Sequence, residues 1–271
     1  MGEIKKLAVI GDPIAHSLSP LLQNTMAQTL GLPYVYEAQR VCAGELPQWL
    51  HRVRVEGYAG FNATMPHKLD LLDLLDYVTQ QGLYFGAVNT VRNDNGILTG
   101  TNTDGAGFAQ SLADHSLGFR GMTVAILGAG GSAGAIAKQA ALDGAAQISI
   151  YNRTVTKAEA LCAMDPVRMR ALPLEAEIPS ETELLINTIP VGNNLDVSFV
   201  KKLSKWCAVF DILYAPPKTP LLLAAEDRGL MAINGLGMLL HQAIESFSFF
   251  TGVSVAHGDM AAILFEKLRQ L

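Results

Sequence analysis

The sequence predicts an α/β protein whose second half is a doubly wound, Rossmann-type sheet. Three observations carry that reading. Short β-rich runs alternate with helical patterns from Lys5 to about Asp104; from about Gly121 the order becomes strand, Gly-rich turn, helix, strand; and the chain closes in two amphipathic helical patterns with no strand partner nearby. A chain of 271 residues suits one large domain or two modest ones at ~150 residues each.

The first-half strands are "KLAVIG", "YVYEAQRV", "GFNAT", "AVNTVR" and "ILTGTN", and Asn95-Gly96 between the last two is a hairpin signal. "SPLLQNTMAQTLG" predicts a helix with Ser19 as N-cap, Pro20 at N1 and Gly31 as the stop, and "PHKLDLLDLLDYV" repeats the device with Pro66. In the second half, strands are expected in "TVAIL", "AQISIY", "ELLINTIP" and "WCAVFDILY", with helices between them. "GLGMLLHQAIESFSFFTG" and "MAAILFEKLRQL" are the closing helices, expected to fold back onto the first half.

Composition narrows the function. Hydrophobic residues make up 49% of the chain and charged residues 17%, ordinary for a protein with a real core. A net charge of −5 and no basic cluster interleaved with aromatics argue against nucleic acid as a partner. No apolar run has the length of a membrane span, and "MGEIKKLAVIGDP" enters a strand at once, so a cytoplasmic protein is expected. Cys42, Cys162 and Cys207 are far apart and read as core thiols, neither a disulfide framework nor a metal site.

"GAGGSAG" follows an apolar strand and opens a helix. Gly128, Gly130 and Ala133 fit G-x-G-x-x-A: a tight turn, close approach of backbone to pyrophosphate, and close helix-to-strand packing. N–H groups at the helix start then face the anion. The next strand ends in Asn152-Arg153-Thr154, with Lys157 a turn later, where an NAD enzyme usually offers a carboxylate. Arg153 can stack on adenine and grip a 2′-phosphate, which makes NADP the expected cofactor; the alternative is a solvated surface arginine.

Polar residues of the first half fall at the ends of several elements, a common way to build a site. In "HSLSP", Ser17 and Ser19 stand at a helix N-terminus, a seat for a carboxylate, although Ser19 taken alone reads better as only an N-cap. Asn62 and Thr64 alternate onto one side of their strand. Lys68 falls in the first turn of the following predicted helix, the wrong end of its dipole for a cation, and an ordinary surface lysine is the competing reading. Asn89 lies in "AVNT", and "TNTDG" delivers Asp104 on the partner strand of the hairpin. On the last helices Met238 and Gln242, four apart, share a face. His16, His67 and His241 have no carboxylate at recognisable spacing, so a catalytic histidine is disfavoured.

The order S-x-S-P, N-x-T-x-P-H-K, A-V-N-T, N-T-D-G, G-x-G-G-S/A-x-G, N-R-T and N-G-L-G-M-L-x-x-Q resembles the shikimate dehydrogenase family from Gly11 to about Gly252. The resemblance implies two domains around a cleft: residues 1–104 and 238–271 as a discontinuous substrate domain, and 105–237 as a Rossmann-type NADP domain. It implies reversible NADPH-dependent reduction of 3-dehydroshikimate to shikimate, a small-molecule reaction without metal, by a monomer or homodimer. Ser17 and Ser19 would hold the substrate carboxylate. Asn62, Thr64, Asn89, Asp104 and Gln242 would surround the ring hydroxyls, and Lys68 with Asp104 would form the catalytic pair. Gly128, Ala129, Gly130, Gly131, Ser132, Ala133, Gly134, Asn152, Arg153, Thr154, Lys157, Thr188, Ile212, Gly235 and Met238 would bind NADP. Tyr214, with Gly235 and Met238, would close the site near carboxylate and nicotinamide. The chemistry wants such a pair, because hydride reaching a ketone leaves an oxyanion that needs stabilising and protonating. Asp104 is expected both to cap its helix and to aim a carboxylate at Lys68.

The chain departs from the family at Gln23 (commonly His), at Ile189 and Asn193, and at Ala215 in "YAP". The last three bear on cofactor affinity more than on reaction class. Two rivals share the layout. An NAD-using quinate or quinate/shikimate dehydrogenase is opposed by Arg153 and Ser19, and a non-catalytic nucleotide sensor by the retained Lys68, Asp104, Asn89 and Gln242.

Overall fold

The computed structural model describes residues 3–190 and 195–270, so the departure at Asn193 lies outside the described residues. The chain forms two compact units, Met1–Gly107 with Leu240–Leu271, and Phe108–Leu239.

The first unit runs β1 (Lys5–Gly11), α1 (Ser19–Thr29), β2 (Tyr34–Arg40), α2 (Leu46–Val55), β3 (Gly60–Ala63), α3 (Leu71–Leu74), β4 (Tyr77–Val78), α4 (Gln80–Phe85), β5 (Thr90–Asp94) and β6 (Ile97–Thr101), then enters α5 (Asp104–Ala113). Its sheet has the order β2-β1-β3-β5-β6-β4, with β1 parallel to both neighbours and β5 antiparallel to β3 and β6. Alternation along β1 assigns its two faces. Ala8 and Ile10 join Leu46, Trp49, Leu50 and Val53 of α2, whose i, i+3, i+4, i+7 spacing makes one apolar stripe. Leu7 and Val9 meet Tyr36 and Phe250 on the other face. At the β5–β6 hairpin, Asn95 (φ 54°) and Gly96 (φ 94°) both take the left-handed conformation that a type I′ turn requires.

The second unit continues with β7 (Thr123–Leu127), α6 (Gly131–Leu142), β8 (Gln147–Asn152), α7 (Val155–Cys162), β9 (Met169–Pro173), β10 (Leu184–Asn187), β11 (Ala208–Asp211), α8 (Pro220–Asp227) and β12 (Met231–Asn234). All its strands pair in parallel in the order β12-β11-β10-β7-β8-β9. This is the doubly wound 3-2-1-4-5-6 order, with its switch point between β7 and β10. β9 and β12 are additional to the strands expected from sequence; they are the two edges, short and poor in β-branched residues. The chain ends in α9 (Leu236–Thr251) and α10 (His257–Leu268), which belong to the first unit from Leu240 onward. No helix of the described residues is long and apolar enough to cross a membrane.

Three local expectations need correction. Ser19 is the first helical residue of α1 rather than its cap. Leu18 holds the cap position, and it is Ser17 whose Oγ accepts the Ser19 N–H at 3.3 Å. The stretch after Pro66 is a series of turns ending in the four-residue α3, not a long helix. The Lys68 carbonyl accepts the Val88 N–H at 2.8 Å and is lost to any helix, while Asp76 turns to the Leu98 N–H (2.7 Å) and Arg54 (2.9 Å). The dipole argument for Lys68 therefore lapses. Cys42 is only half-buried, unlike the two core thiols Cys162 and Cys207.

Candidate functional site

Asp104 opens α5, and its N–H is taken at 2.9 Å by Asn102 Oδ1. The side chain serving the helix entry is thus Asn102, not Asp104 as expected, and the Asp104 carboxylate is left for other donors. Lys68 Nζ donates to its Oδ2 at 2.6 Å and Asn89 Nδ2 to its Oδ1 at 2.7 Å. The carboxylate is only 8% exposed while the lysine side chain keeps 22%, so the ammonium is the member that can reach a second partner.

Backbone pairing fixes all three residues. Asn89 precedes β5; its N–H donates to Thr101 O (3.1 Å) and its carbonyl accepts from Ala63 N (2.9 Å), pinning it between the ends of β6 and β3. The same turn holds Lys68 through Val88. Around Asn89 lies a buried polar lattice. Its Oδ1 accepts from the Thr103 N–H (2.9 Å) and Thr90 Oγ1 (2.8 Å), and its Nδ2 also donates to Thr103 Oγ1 (3.0 Å). Asn62 is equally committed: Oδ1 accepts from the Tyr36 hydroxyl at 2.6 Å, and Nδ2 is shared among Asn89 O, Thr90 Oγ1 and Ser246 Oγ. Burial pushes the Tyr36 phenol well above its ordinary pKa, so it stays a donor.

Of the residues singled out in the sequence, Lys68, Asp104, Asn89 and Asn62 are joined through direct hydrogen bonds. Thr64 follows β3 with its methyl over Gly11, where an added Cβ would stand 2.4 Å from Thr64 Cγ2. Ser17 and Ser19 share the entry turn of α1. Gln242 is half-buried on α9 and packs against Gly107, one turn along α5 from Asp104; a Cβ on Gly107 would meet Gln242 N at 2.6 Å. Gln23 is buried and ties α1 to α9, donating to Ala243 O at 3.0 Å. His67 is sealed in the core with Nε2 donating to Val41 O (2.8 Å), and His241 lies 3.0 Å from His257. Sequence reasoning missed Tyr36, Thr90, Asn102, Thr103 and Ser246. Asn102 and Thr103 stood inside "TNTDG" itself, and Ser246 lies one helical turn past Gln242, a spacing that would have found it.

In the second unit Gly128 has φ 106° and donates to Tyr151 O at 2.7 Å; an added Cβ would meet Thr188 Oγ1 at 2.4 Å. Only glycine passes there. Thr188 is held by Leu127 O, which accepts both its N–H (2.8 Å) and its hydroxyl (2.7 Å). Gly130 caps α6 and Gly131 begins it, and a Cβ on either would meet nothing within 4 Å, so the helix N-terminus lies open. Ala129 and Ser132 flank them half-buried, Ala133 is fully buried, and Gly134 packs on Leu161. Asn152 donates to Thr154 O (2.8 Å) at the end of β8, where Arg153, Thr154 and Lys157 are exposed. Neither cation has an ion-pair partner among the described residues. A glycine cradle beside an open helix N-terminus and two unclaimed cations fits a dinucleotide with an extra phosphate. Gly235 donates to Leu213 O (3.0 Å) and lies so close to Ile212 that a Cβ would clash with the Ile212 carbonyl. Met238 packs on the core and Tyr214 is half-buried, its phenol pushed up by burial. Ile189 packs on the core, and Ala215 is exposed.

The sequence matches three family descriptions: "Shikimate dehydrogenase substrate binding domain" over residues 9–91, "Shikimate / quinate 5-dehydrogenase" over 111–188, and "Shikimate 5'-dehydrogenase C-terminal domain" over 235–263. The shikimate dehydrogenase (NADP(+)) of Alkaliphilus oremlandii is 38% identical, with 98% of each chain covered. Among solved structures, shikimate dehydrogenase from Aquifex aeolicus is similar with a TM-score of 0.89 at 32% identity, covering 99% of this chain and 100% of that one. The Thermus thermophilus enzyme in complex with NADP(H) and shikimate gives 0.86 at 33% identity, covering 97% and 100%.

Proposed function

The chain belongs to the shikimate dehydrogenase family, and on that premise we propose how its own residues carry the reversible, NADPH-dependent reduction of 3-dehydroshikimate to shikimate, on the route to chorismate and the aromatic amino acids. The observation that carries the proposal is the 2.6 Å contact of Lys68 Nζ with an Asp104 carboxylate whose second oxygen is held by Asn89.

Substrate is held by the first unit. Ser17 and Ser19 at the α1 N-terminus take its carboxylate; Thr64, Asn89, Gln242 and the Lys68–Asp104 pair read its hydroxyls, and Asn62 keeps Asn89 and Thr90 in place. The second unit holds the dinucleotide, with Gly128 to Gly134 on the pyrophosphate and Asn152, Arg153, Thr154 and Lys157 on the adenosine phosphate. Thr188, Ile212, Gly235 and Met238 serve the nicotinamide end. NADPH, when bound, supplies the hydride for the C3 ketone. Lys68 Nζ stabilises the charge that develops on the C3 oxygen and gives that oxygen a proton, while Asp104 Oδ2 orients the ammonium. In the reverse direction Lys68 Nζ takes the proton back. The protein acts in the cytoplasm as a monomer or homodimer.

Initial rates of shikimate and quinate oxidation, each with NADP and with NAD, test this through the reduced-nicotinamide absorbance. The highest kcat/KM is expected for shikimate with NADP. Quinate is tetrahedral at C1 and would press an extra hydroxyl on the serine seat. Faster quinate oxidation with NAD would overturn the substrate and cofactor reading, and no turnover of either would favour a sensor.

A further inference from the structure

We infer that Ser246 is a positioning residue for the Lys68–Asp104 pair, acting through Thr103 and Asn89 and resting on the reaction proposed above. Ser246 is fully buried on α9. Its Oγ accepts from Asn62 Nδ2 at 2.9 Å, lies 2.9 Å from Thr90 Oγ1 and 3.1 Å from Thr103 Oγ1, and donates to Gln242 O at 2.9 Å.

Counting protons gives this lattice a direction. A hydroxyl has one proton to give. We assign the Ser246 proton to Gln242 O and the Thr90 proton to Asn89 Oδ1 at 2.8 Å, which leaves Thr90 Oγ1 and Ser246 Oγ, 2.9 Å apart, as joint acceptors of Asn62 Nδ2. Thr103 then donates to Ser246 Oγ at 3.1 Å, a shorter reach than its 3.3 Å to Asn89 Oδ1. Thr103 Oγ1 in turn accepts from Asn89 Nδ2, whose other proton lies on Asp104 Oδ1. One polarised chain thus runs from the amide that holds the carboxylate, through Thr103 and Ser246, to the backbone of Gln242. A second observation joins the same two elements: the backbone of α9 at Gln242 lies against Gly107 of α5, with no room for a Cβ. The residue that aims Asp104 and the helix that carries Gln242 are therefore set by one network.

Without the Ser246 oxygen, Thr103 keeps only longer acceptors, Asn89 Oδ1 at 3.3 Å and Thr90 Oγ1 at 3.4 Å. The hydroxyl then turns toward Asn89, and the amide loses its fixed angle on Asp104. Ser246→Ala should lower kcat for shikimate oxidation by roughly tenfold, short of the ~10²-fold that a 1 Å misplacement brings. KM for NADP should not move. Ser246→Thr, which restores the oxygen, should recover most of the rate. Thr103→Val should reproduce the loss in a chain where Ser246 is intact, and Thr103→Val/Ser246→Ala should cost little more than Thr103→Val alone, because both break one chain. Wild-type kcat in Ser246→Ala, or equal losses in Ser246→Ala and Ser246→Thr that track the fall in Tm, would overturn the inference while leaving the reaction intact. A wild-type chain that fails to oxidise shikimate would overturn both.

Discussion

Substituting Gly107 by alanine presses a methyl group into the contact between α5 and α9. The new Cβ would lie 2.6 Å from Gln242 N, 2.7 Å from its Cβ and 2.8 Å from its Cα. Carbon contacts are comfortable only from ~3.5 Å, so the two helices must part by roughly 0.8 Å at this point. Two of the opposing atoms are backbone and cannot swing aside. Overpacking of this kind costs about 1–3 kcal/mol, and at ~2–4 °C per kcal/mol the Tm should fall by roughly 2–12 °C. The displaced residue is Gln242 and the other helix begins at Asp104, so the shift falls on two residues proposed to contact substrate. A misplacement approaching 1 Å should lower kcat/KM for shikimate by ~10–10²-fold. The assay is steady-state oxidation at saturating NADP beside a thermal melt, with NADP affinity of the second unit as a control that should not change. A lowered Tm with unaltered kcat/KM would remove Gln242 from the substrate's surroundings. An unaltered Tm would mean the contact is looser than the geometry requires.

The other expectations follow from single residues. Arg153→Asp should lose the charge-assisted contact of about 1.5–3 kcal/mol proposed with the 2′-phosphate, so NADP affinity should fall roughly ten- to a hundredfold with NAD use little changed, as nucleotide titrations would show; unchanged NADP binding removes Arg153 from the site. Gly128→Ala puts a Cβ 2.4 Å from Thr188 Oγ1 at a φ of 106°, so the glycine turn proposed to hold the pyrophosphate must distort. NADP binding should weaken by at least ~10-fold while shikimate binding to the first unit, followed calorimetrically, persists. The Leu98 N–H, aided by Arg54, holds the Asp76 carboxyl below its ordinary value of 3.8. A depressed carboxylate contributes stability above its unfolded pKa and loses it as pH falls through the folded one. Asp76→Asn should therefore flatten the acid side of the stability curve below about pH 4, the unfolded aspartate value. An equally steep acid limb in the variant would show that Asp76 carries none of it.

Features governed by local chemistry were legible in the sequence. The glycine cradle before α6, the Asn95-Gly96 hairpin and the alternation along β1 follow from backbone freedom and period, which a single sequence displays. Features decided by distant partners were not. Whether the run after Pro66 coils into a helix depends on Val88 claiming the Lys68 carbonyl, and which serine serves α1 depends on a one-residue shift in the turn from Ile14. Asp104 was placed correctly beside Lys68 but with the wrong task at the helix end, since Asn102 was the nearer side chain for the N–H. The lattice through Thr90, Thr103 and Ser246 joins residues from three separate parts of the chain. Each reads alone as an ordinary small polar residue, and only their convergence on Asn89 and Asn62 gives them a role.

The measurement that bears most directly on the account is a double-mutant cycle on Lys68 and Asp104, read as kcat and KM for shikimate at saturating NADP. If the pair handles charge and proton only while hydride moves, Lys68→Ala and Asp104→Ala should each lower kcat by ~10²–10⁴ with KM little altered. The double variant should cost far less than the product of the two losses, since either substitution disables one unit. Single variants that bind shikimate weakly yet turn over at near-normal kcat, or losses that multiply in the double variant, would contradict the account and leave the pair as a holder of substrate.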